Sequence, residues 1–278
     1  MNILFFYHAC FVYFLSFFIY LIALFRKRIN LLDWGYGLLI IAFLIHTFSF
    51  ILRTSEAGYL PITNLFESIS FFVWAIILVW IILNLRYQTI ILGIFVLPLI
   101  ILLLSPSFFA EKSIQPLKPV LQQNYLLGLH TFLVFLGYAG FTLSFMGGLA
   151  YLILEKEIKS KAVTTPTGYN IFHSLPSLEI LDLVNYRATI FGLILLAGGI
   201  FTGALGLKIT HGVYWIWTEP KLVWSLFTWL VYFLLLFLRS FYLWSEKRVA
   251  LLSIFGFIIV IFSFFGINYI FTGFHRFL

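Results

Sequence analysis

Long apolar segments alternate with short polar ones along the whole chain. Each segment carries about 17 to 25 mostly apolar residues, and a helix needs roughly 20 such residues to cross a bilayer. None of the segments has an aspartate or a glutamate inside its core. The pattern therefore predicts eight transmembrane helices, over residues 3–25, 33–52, 68–85, 89–105, 129–153, 188–207, 222–243 and 249–271.

Composition indicates a protein that lies within a membrane. Hydrophobic residues make up 63% of the 278 positions, charged residues make up 10%, and the mean hydropathy is +1.08. A soluble domain needs more charge to cover its surface. The first apolar segment is too long for the core of a signal peptide, so we predict that it is retained. The predicted fold class is all-α, a polytopic helical bundle in which residues 1–278 form a single transmembrane domain.

The lysines and arginines predict the orientation of the bundle, because cytoplasmic loops carry an excess of them. If the N-terminus lies outside, eleven of the 17 basic residues lie inside, namely Arg26, Lys27, Arg28, Arg86, Lys156, Lys159, Lys161, Arg187, Arg239, Lys247 and Arg248. The six outside are Arg53, Lys112, Lys118, Lys208, Lys221 and Arg276. The chain is therefore predicted to span the inner (cytoplasmic) membrane with both termini on its outer side. The net charge of +7 then reflects topology and attraction to membrane lipid, and it does not indicate nucleic-acid binding.

Little of the chain lies outside the predicted helices. In the largest inner segment, Glu155–Arg187, we predict that Ser177 caps a short interfacial helix over Leu178–Tyr186, leading into the sixth span. The only cysteine is Cys10 and no C-x-x-C motif occurs, which excludes an intramolecular disulfide and covalent c-type heme. The sequence has no glycine-rich phosphate loop and no paired charges within the spans, which argues against an ATP-driven pump or a transporter.

The outer segment Lys208–Lys221 is rich in aromatic residues. It places Tyr214, Trp215 and Trp217 within four positions, and Trp224 follows one turn into the next helix. Because Trp and Tyr gather at both membrane surfaces, an aromatic belt is one interpretation. Three aromatic residues so close together in a loop also suit a flat, apolar ligand.

Three of the six histidines are predicted to reach the same outer surface: His130 at the mouth of the fifth span, His211 in the aromatic loop, and His275 beyond the eighth span. Heme iron takes one or two axial imidazoles, so a pair from two helices could hold a porphyrin over the aromatic residues. Cations that could bind its propionates are Lys208, Lys221, Arg276 and Arg53. Zinc is a weaker interpretation, because outer carboxylates are few and no H-x-x-x-H spacing occurs. For any single histidine, an interfacial residue with a solvated tip is the simpler interpretation.

Several stretches, taken together, carry a family resemblance. They are Gly58–Ser68 (G-Y-L-P-I-T-N-L-F-E-S), the helix opened by His130, Leu181–Arg187 (L-D-L-V-N-Y-R), the loop Gly212–Trp224, and the segment that ends at His275. In order, spacing and sidedness they resemble the CcsA/ResC/CcmC-type cytochrome c assembly proteins. In that family a tryptophan-rich outer loop, known as the WWD loop, is flanked by two histidines that ligate heme.

The resemblance implies a heme-binding membrane component of cytochrome c maturation. His130 and His275 would be the axial ligands of a transiently held, non-covalent heme b at the outer face. The heme would also contact four aromatic side chains of the loop and the following helix, Tyr214, Trp215, Trp217 and Trp224. The implied partners are a ResB/CcsB-type membrane protein and the apocytochrome c that receives the heme. The resemblance leaves open a part in a heme lyase complex and does not imply a stand-alone enzyme.

The chain departs from the family pattern in ways that matter for function. Its loop, W-I-W-T-E-P-K-L-V-W, has one extra residue and carries Glu219-Pro220 in place of Asp-Pro. Phe237 stands where chloroplast-type relatives carry an intramembrane histidine, which favours an alternative: a HemX-like membrane protein that acts in regulation of heme biosynthesis or in heme chaperoning.

Three further histidines lie away from the outer loop. His8 and His46 are predicted within about 10 Å of the outer surface and could face each other, either as further heme-binding residues or in hydrogen bonds between helices. His173 falls in the inner segment and is assigned no role.

Overall fold

The computed structural model describes residues 1–114, 125–160, 175–242 and 244–266. Within these ranges it has eight helices long and apolar enough to cross a membrane, and no strand. They are α1 (Asn2–Arg26), α2 (Asn30–Ala57), α3 (Leu65–Tyr87), α4 (Gly93–Leu104), α5 (Tyr125–Lys159), α6 (Leu178–His211), α7 (Pro220–Tyr242) and α8 (Glu246–Ile261). Short 3₁₀ turns lengthen the fourth span to Ile90–Phe108, and a π-turn, Phe262–Gly266, follows α8. The predicted all-α bundle of eight membrane-spanning helices is confirmed.

The first three helices end in tight left-handed turns. Lys27, Gly58 and Gln88 follow α1, α2 and α3 with φ angles of 54°, 76° and 51°. In this conformation a backbone N–H can return to the last helical turn, as Gly58 N–H does to the carbonyl of Thr54 at 2.9 Å. These turns let successive helices run antiparallel with short connections.

The sixth span differs from the prediction. Ser177 caps the helix as expected, its Oγ accepting from the backbone N–H of Ile180 at 3.3 Å. The predicted separate interfacial helix is wrong, however, because α6 continues without a break from Leu178 to His211. No glycine or proline occurs between Leu178 and Phe191 to interrupt it.

Helices α5 and α6 are the longest, with 35 and 34 residues, and they approach closely through glycine. A Cβ atom added at Gly140 would lie 2.9 Å from the Cα of Gly192, and one added at Gly137 would lie 3.0 Å from the backbone nitrogen of Leu196. Small residues let helix backbones approach in a membrane, where packing rather than hydrophobic burial drives association.

Polar side chains also join the helices of the C-terminal half. The Asn185 Nδ2 donates to the carbonyl of Ser144 and to the Ser253 Oγ, each at 2.8 Å, and so connects α6 to α5 and α8. At the opposite end of α7 from the aromatic loop, Arg239 donates to both carboxylate oxygens of Asp182, at 2.7 and 2.6 Å. Asp182 lies in the first turns of α6, within one of the stretches that carry the family resemblance.

Candidate functional site

His130 lies on α5, in its second turn, and is held by α6. Its Nδ1 is 2.7 Å from the carbonyl oxygen of Gly199. A carbonyl only accepts, so Nδ1 carries the proton, and the neutral ring then has its lone pair on Nε2. Histidines that bind a metal are typically oriented in this way, through a hydrogen bond on the other ring nitrogen. The orientation of His130 therefore suits coordination of iron through Nε2.

Glycine on α6 makes room for this ring. A Cβ atom added at Gly203 would lie 2.6 Å from Nδ1 and 2.9 Å from Cε1 of His130. One added at Gly199 would lie 2.6 Å from a methyl group of Val134, one turn further along α5. The imidazole is thus seated against α6 backbone, where a larger side chain would displace it.

The aromatic loop presents flat rings at the same end of the bundle. Trp217 and Tyr214 are 73% and 56% exposed, whereas Trp215 is half-buried. The rings of Trp215 and Trp217 meet edge to face with their centroids 5.7 Å apart. Among the described residues, the buried indole N–H of Trp215 has no hydrogen-bond partner. Trp224, in the second turn of α7, packs against Phe262 at 4.9 Å.

The aromatic loop and His130 lie at a similar height along the helices. The indole N–H of Trp229 on α7 donates to the carbonyl of Leu193 on α6 at 3.2 Å, which sets a common level. From that level Gly199 and Gly203 lie about 9 and 15 Å toward the C-terminal end of α6, and Pro220 lies about 14 Å toward the N-terminal end of α7. The end of the loop therefore lies at the height of the His130 ring.

The predicted propionate-binding cations have different environments. Lys208 donates to the carbonyl of Gly212 at 2.9 Å, and its Nζ lies 5.0 Å from the centroid of the Tyr214 ring. Lys221 lies in the first turn of α7 and is half-buried. Arg53 is instead buried in an ion pair with Glu67, its NH2 2.7 Å from Glu67 Oε1. The predicted role of Arg53 at the propionates is therefore replaced by a structural one.

Two of the remaining histidines, His8 and His46, have distinct environments. His46 is buried, with Nε2 2.8 Å from the Ser70 Oγ and Nδ1 3.4 Å from the Tyr13 hydroxyl. These contacts agree with the hydrogen-bonding alternative, and a role for His46 in binding heme stays a prediction that they do not favour. His8 is exposed and bonded to its own helix through the carbonyl of Leu4, so it does not face His46.

The histidine of the aromatic loop, His211, lies at the surface of the bundle. It is the last residue of α6 and is exposed, with Nδ1 2.7 Å from the Thr210 Oγ1. His275, the predicted second axial ligand, lies outside the described residues, as do His173 and the predicted propionate-binding cation Arg276. Of the three histidines predicted at the outer surface, the structure therefore describes His130 and His211.

Sequence reasoning missed the ion pair between Arg53 and Glu67. The sequence carried part of the signal, because Glu67 stands three residues after Asn64 at a helix start and Arg53 is a charge at the end of an apolar span. Their burial against each other depends on how α2 and α3 pack. Burial also raises the pKa of Tyr59, in the loop between the two partners, above its ordinary value of 10.0. The phenol of Tyr59 therefore stays protonated at physiological pH.

Comparison with known proteins agrees with the family resemblance of the sequence. Residues 62–275 match the family described as Cytochrome C assembly protein. A cytochrome c biogenesis protein CcsA from Guillardia theta is 31% identical over 268 residues, covering 91% of this chain and 88% of that protein. CcsA proteins from Chlorella vulgaris and Prochlorococcus marinus (strain MIT 9301) are 31% and 30% identical, over 83% and 84% of this chain. Each alignment also covers 81% of the relative.

Proposed function

The chain belongs to the cytochrome c assembly protein family, and on that premise we propose that it holds heme at the outer face of the membrane for delivery to apocytochrome c. Heme is the cargo in this proposal, bound without a covalent link as heme b. His130 and His275 are the proposed axial ligands. Tyr214, Trp215, Trp217 and Trp224 supply flat apolar surface beside the porphyrin.

The way in which α6 holds the imidazole of His130 is the observation that carries the proposal. Its Nδ1 is engaged by the Gly199 carbonyl, and Gly203 leaves space for the ring. A fixed tautomer with Nε2 as the coordinating atom is what an axial ligand needs. The loop that carries Trp215 and Trp217 ends at the same height along the helices as the His130 ring, which supports a site in which a porphyrin with its iron on His130 also contacts these rings.

The proposed transfer follows from this ligation. Two imidazoles satisfy the iron while the vinyl groups stay available. A C-x-x-C-H segment of apocytochrome c would approach, its histidine would replace one ligand, and each cysteine S–H would add across a vinyl group to form a thioether. The addition needs reduced thiols, because the thiolate is the attacking species. A ResB/CcsB-type membrane partner is proposed to present the apoprotein.

Phe237 bears on the side of the membrane from which heme reaches the site. It lies on α7 and is 39% exposed, with its ring stacked on Phe233 and tilted against Phe241. A phenyl ring cannot ligate iron, so we propose that heme docks from the outer side rather than passing a ligand at this position. The HemX-like alternative, a heme chaperone or regulator of heme biosynthesis, fits the same observation. Transfer of heme to apocytochrome c by the purified chain with its partner would separate the two functions.

The orientation is part of the proposal and has its own test. Reporter fusions after Arg28, Arg86 and Lys161 are expected to report a cytoplasmic position, and fusions after Ala57 and Glu111 an external one. The prediction rests on the excess of lysine and arginine in the inner loops. An external signal at Lys161 would contradict it, because the aromatic loop would then face the cytoplasm.

The function is tested by absorption spectra of the detergent-purified protein and of its alanine variants. We expect a b-type spectrum that is lost in His130→Ala and in His275→Ala and is partly restored by added imidazole, which refills an emptied axial position. His8→Ala is the matched control, because His8 is exposed and bonded to its own helix. Trp217→Ala should weaken retention by about 1–3 kcal/mol without rescue, since it removes stacking area. A colourless wild type from heme-replete cells, with its partner present, would refute the proposal.

A further inference from the structure

A network of buried polar groups ties together the outer ends of the first three helices. Arg53, near the end of α2, and Glu67, in the first turn of α3, are 4% and 1% exposed. Their shortest contact joins Arg53 NH2 to Glu67 Oε1 at 2.7 Å, and Arg53 Nε donates to the same oxygen at 2.8 Å. The guanidinium carbon also lies 5.1 Å from the centroid of the Phe66 ring. The two charges are therefore removed from water and depend on each other.

Both side chains also bind the backbone of outer loops. Glu67 Oε2 accepts from the backbone N–H and the hydroxyl of Thr63, at 2.8 and 2.9 Å. Arg53 NH2 donates to the carbonyl of Lys112 at 2.9 Å, and Arg53 NH1 donates to the Asn2 Oδ1 at 3.3 Å. The pair thus fixes four parts of the chain at once: the start of α1, the end of α2, the loop before α3, and the segment after the fourth span.

Stability alone does not explain this arrangement. Removing two charges from water costs free energy that their attraction often fails to recover, and apolar replacements of similar shape are frequently as stable. What a fully hydrogen-bonded pair provides is a single geometry for the groups it joins. Here the groups joined are the first outer loop, Gly58–Asn64, and the first turn of α3.

Both of these elements lie against the helix that carries His130. A Cβ atom added at Gly128, two residues before His130, would lie 4.0 Å from the Cβ of Leu60 in the loop. One turn along α3 from Glu67, the ring of Phe71 lies 5.8 Å from Phe132, two residues after His130. The loop and α3 therefore contact α5 on either side of His130 in sequence.

We propose that the Arg53–Glu67 pair is a positioning pair for the heme ligand His130. It acts by holding the first outer loop and the start of α3 against the first turns of α5, while α6 holds the imidazole itself. This proposal rests on the proposed function, because it takes heme to be the molecule that His130 binds. The positioning of the loop against α5 can be measured without heme.

Disulfide formation measures the positioning directly. In a Cys10→Ser background, Leu60→Cys and Gly128→Cys place two thiols at a Cβ separation suited to a disulfide. In membranes treated with a mild oxidant we expect rapid cross-linking in this background, and about tenfold slower cross-linking when Glu67→Gln is added, because the geometry is no longer fixed. Glu155→Gln is the matched control, since its ion pair with Lys159 lies at the inner end of α5.

Graded variants keep the test valid if Glu67→Gln folds poorly. Thr63→Val removes one hydroxyl donor to Glu67 and leaves the ion pair, so cross-linking should slow less than in Glu67→Gln. Arg53→Lys keeps the charge and loses the fork that binds Lys112 and Glu67 together, so its rate should lie between those of wild type and Glu67→Gln. Equal cross-linking rates in all variants and the control would overturn the proposal.

The spectrum of bound heme supplies the second readout. Glu67→Gln should shift the ferric low-spin signal and speed heme loss, and Arg53→Lys should change both by a smaller amount, while Glu155→Gln leaves them unchanged. Slowed cross-linking with an unaltered heme spectrum would overturn the positioning of His130. If the wild type binds no heme, the proposed function fails, whereas the cross-linking rates still decide whether the pair holds the loop against α5.

Discussion

Replacing Gly203 by alanine tests the seat of His130 with a single methyl group. The added Cβ would lie 2.6 Å from Nδ1, whereas ordinary contact begins near 3.4 Å. The α6 backbone is fixed by its packing on α5, so the imidazole must withdraw by about 0.8 Å. The Nδ1 bond to the Gly199 carbonyl, now 2.7 Å, would then lie at the limit of a hydrogen bond and be lost in effect.

The structure predicts that stability and heme binding respond differently. Loss of one neutral hydrogen bond costs about 0.5–1.5 kcal/mol, and alanine in place of a helical glycine regains about 1 kcal/mol. The free energy of unfolding of Gly203→Ala should therefore stay within about 1 kcal/mol of wild type. Heme affinity should fall by about 10- to 100-fold, as is typical when the hydrogen bond that orients a metal-binding histidine is removed.

Gly198→Ala is the matched control on the same helix. Its Cβ would lie 3.5 Å from a methyl carbon of Leu133, which is an ordinary contact. The assays are thermal unfolding in detergent and the rate of heme transfer to an excess of apoglobin. We expect Gly198→Ala to bind heme as wild type does and Gly203→Ala to lose it faster. Equal rates for both, in a protein whose heme depends on His130, would show that the glycine seat does not orient the ligand.

Three further changes test the packing of the bundle. Gly140→Ala should destabilise the protein by about 1–3 kcal/mol and lower the thermal midpoint, because its Cβ would meet helix backbone at 2.9 Å. Gly37→Ala, whose Cβ would have no atom within 4 Å, should leave the midpoint unchanged, and equal midpoints for the two variants would contradict the close contact of α5 and α6. His46→Leu should destabilise by about 1–3 kcal/mol through two unpaired hydroxyl groups and leave heme content unchanged in the absorption spectrum. Arg239→Gln should destabilise by a similar amount, about 1–3 kcal/mol, and a double variant with Asp182→Asn should lose less than the sum of the single changes, measured by thermal unfolding.

The number and order of the helices follow from the sequence because each span must satisfy its backbone internally over the thickness of the bilayer. Helix ends are harder to predict, as α6 shows. Its apolar core begins near residue 188, yet the helix begins at Leu178, because Ser177 provides a cap and the polar residues after it are compatible with helix. Hydropathy detects the apolar core and not the polar turns that extend it.

The site could be predicted only as far as residue types indicate chemistry. His130 is identifiable as a candidate ligand from its place at the mouth of a span, but the Gly199 carbonyl that orients it depends on which helix faces it. Arg53 shows the same limit. The sequence displays a cation at the end of an apolar span, whereas the burial of Arg53 against Glu67, 14 positions along the chain, depends on how α2 and α3 pack.

The length of α5 and α6 has a consequence for behaviour in different lipids. At about 1.5 Å per residue each is more than 50 Å long, against a hydrocarbon core of about 30 Å. Helices longer than the core adapt to a thinner or thicker bilayer by tilting, and these two are joined through glycine contacts, so they should tilt as one body. Hydrophobic mismatch would then change the angle of the pair to the membrane plane without separating His130 from Gly199. Reconstitution in short-chain and long-chain phospholipids should accordingly leave heme affinity the same.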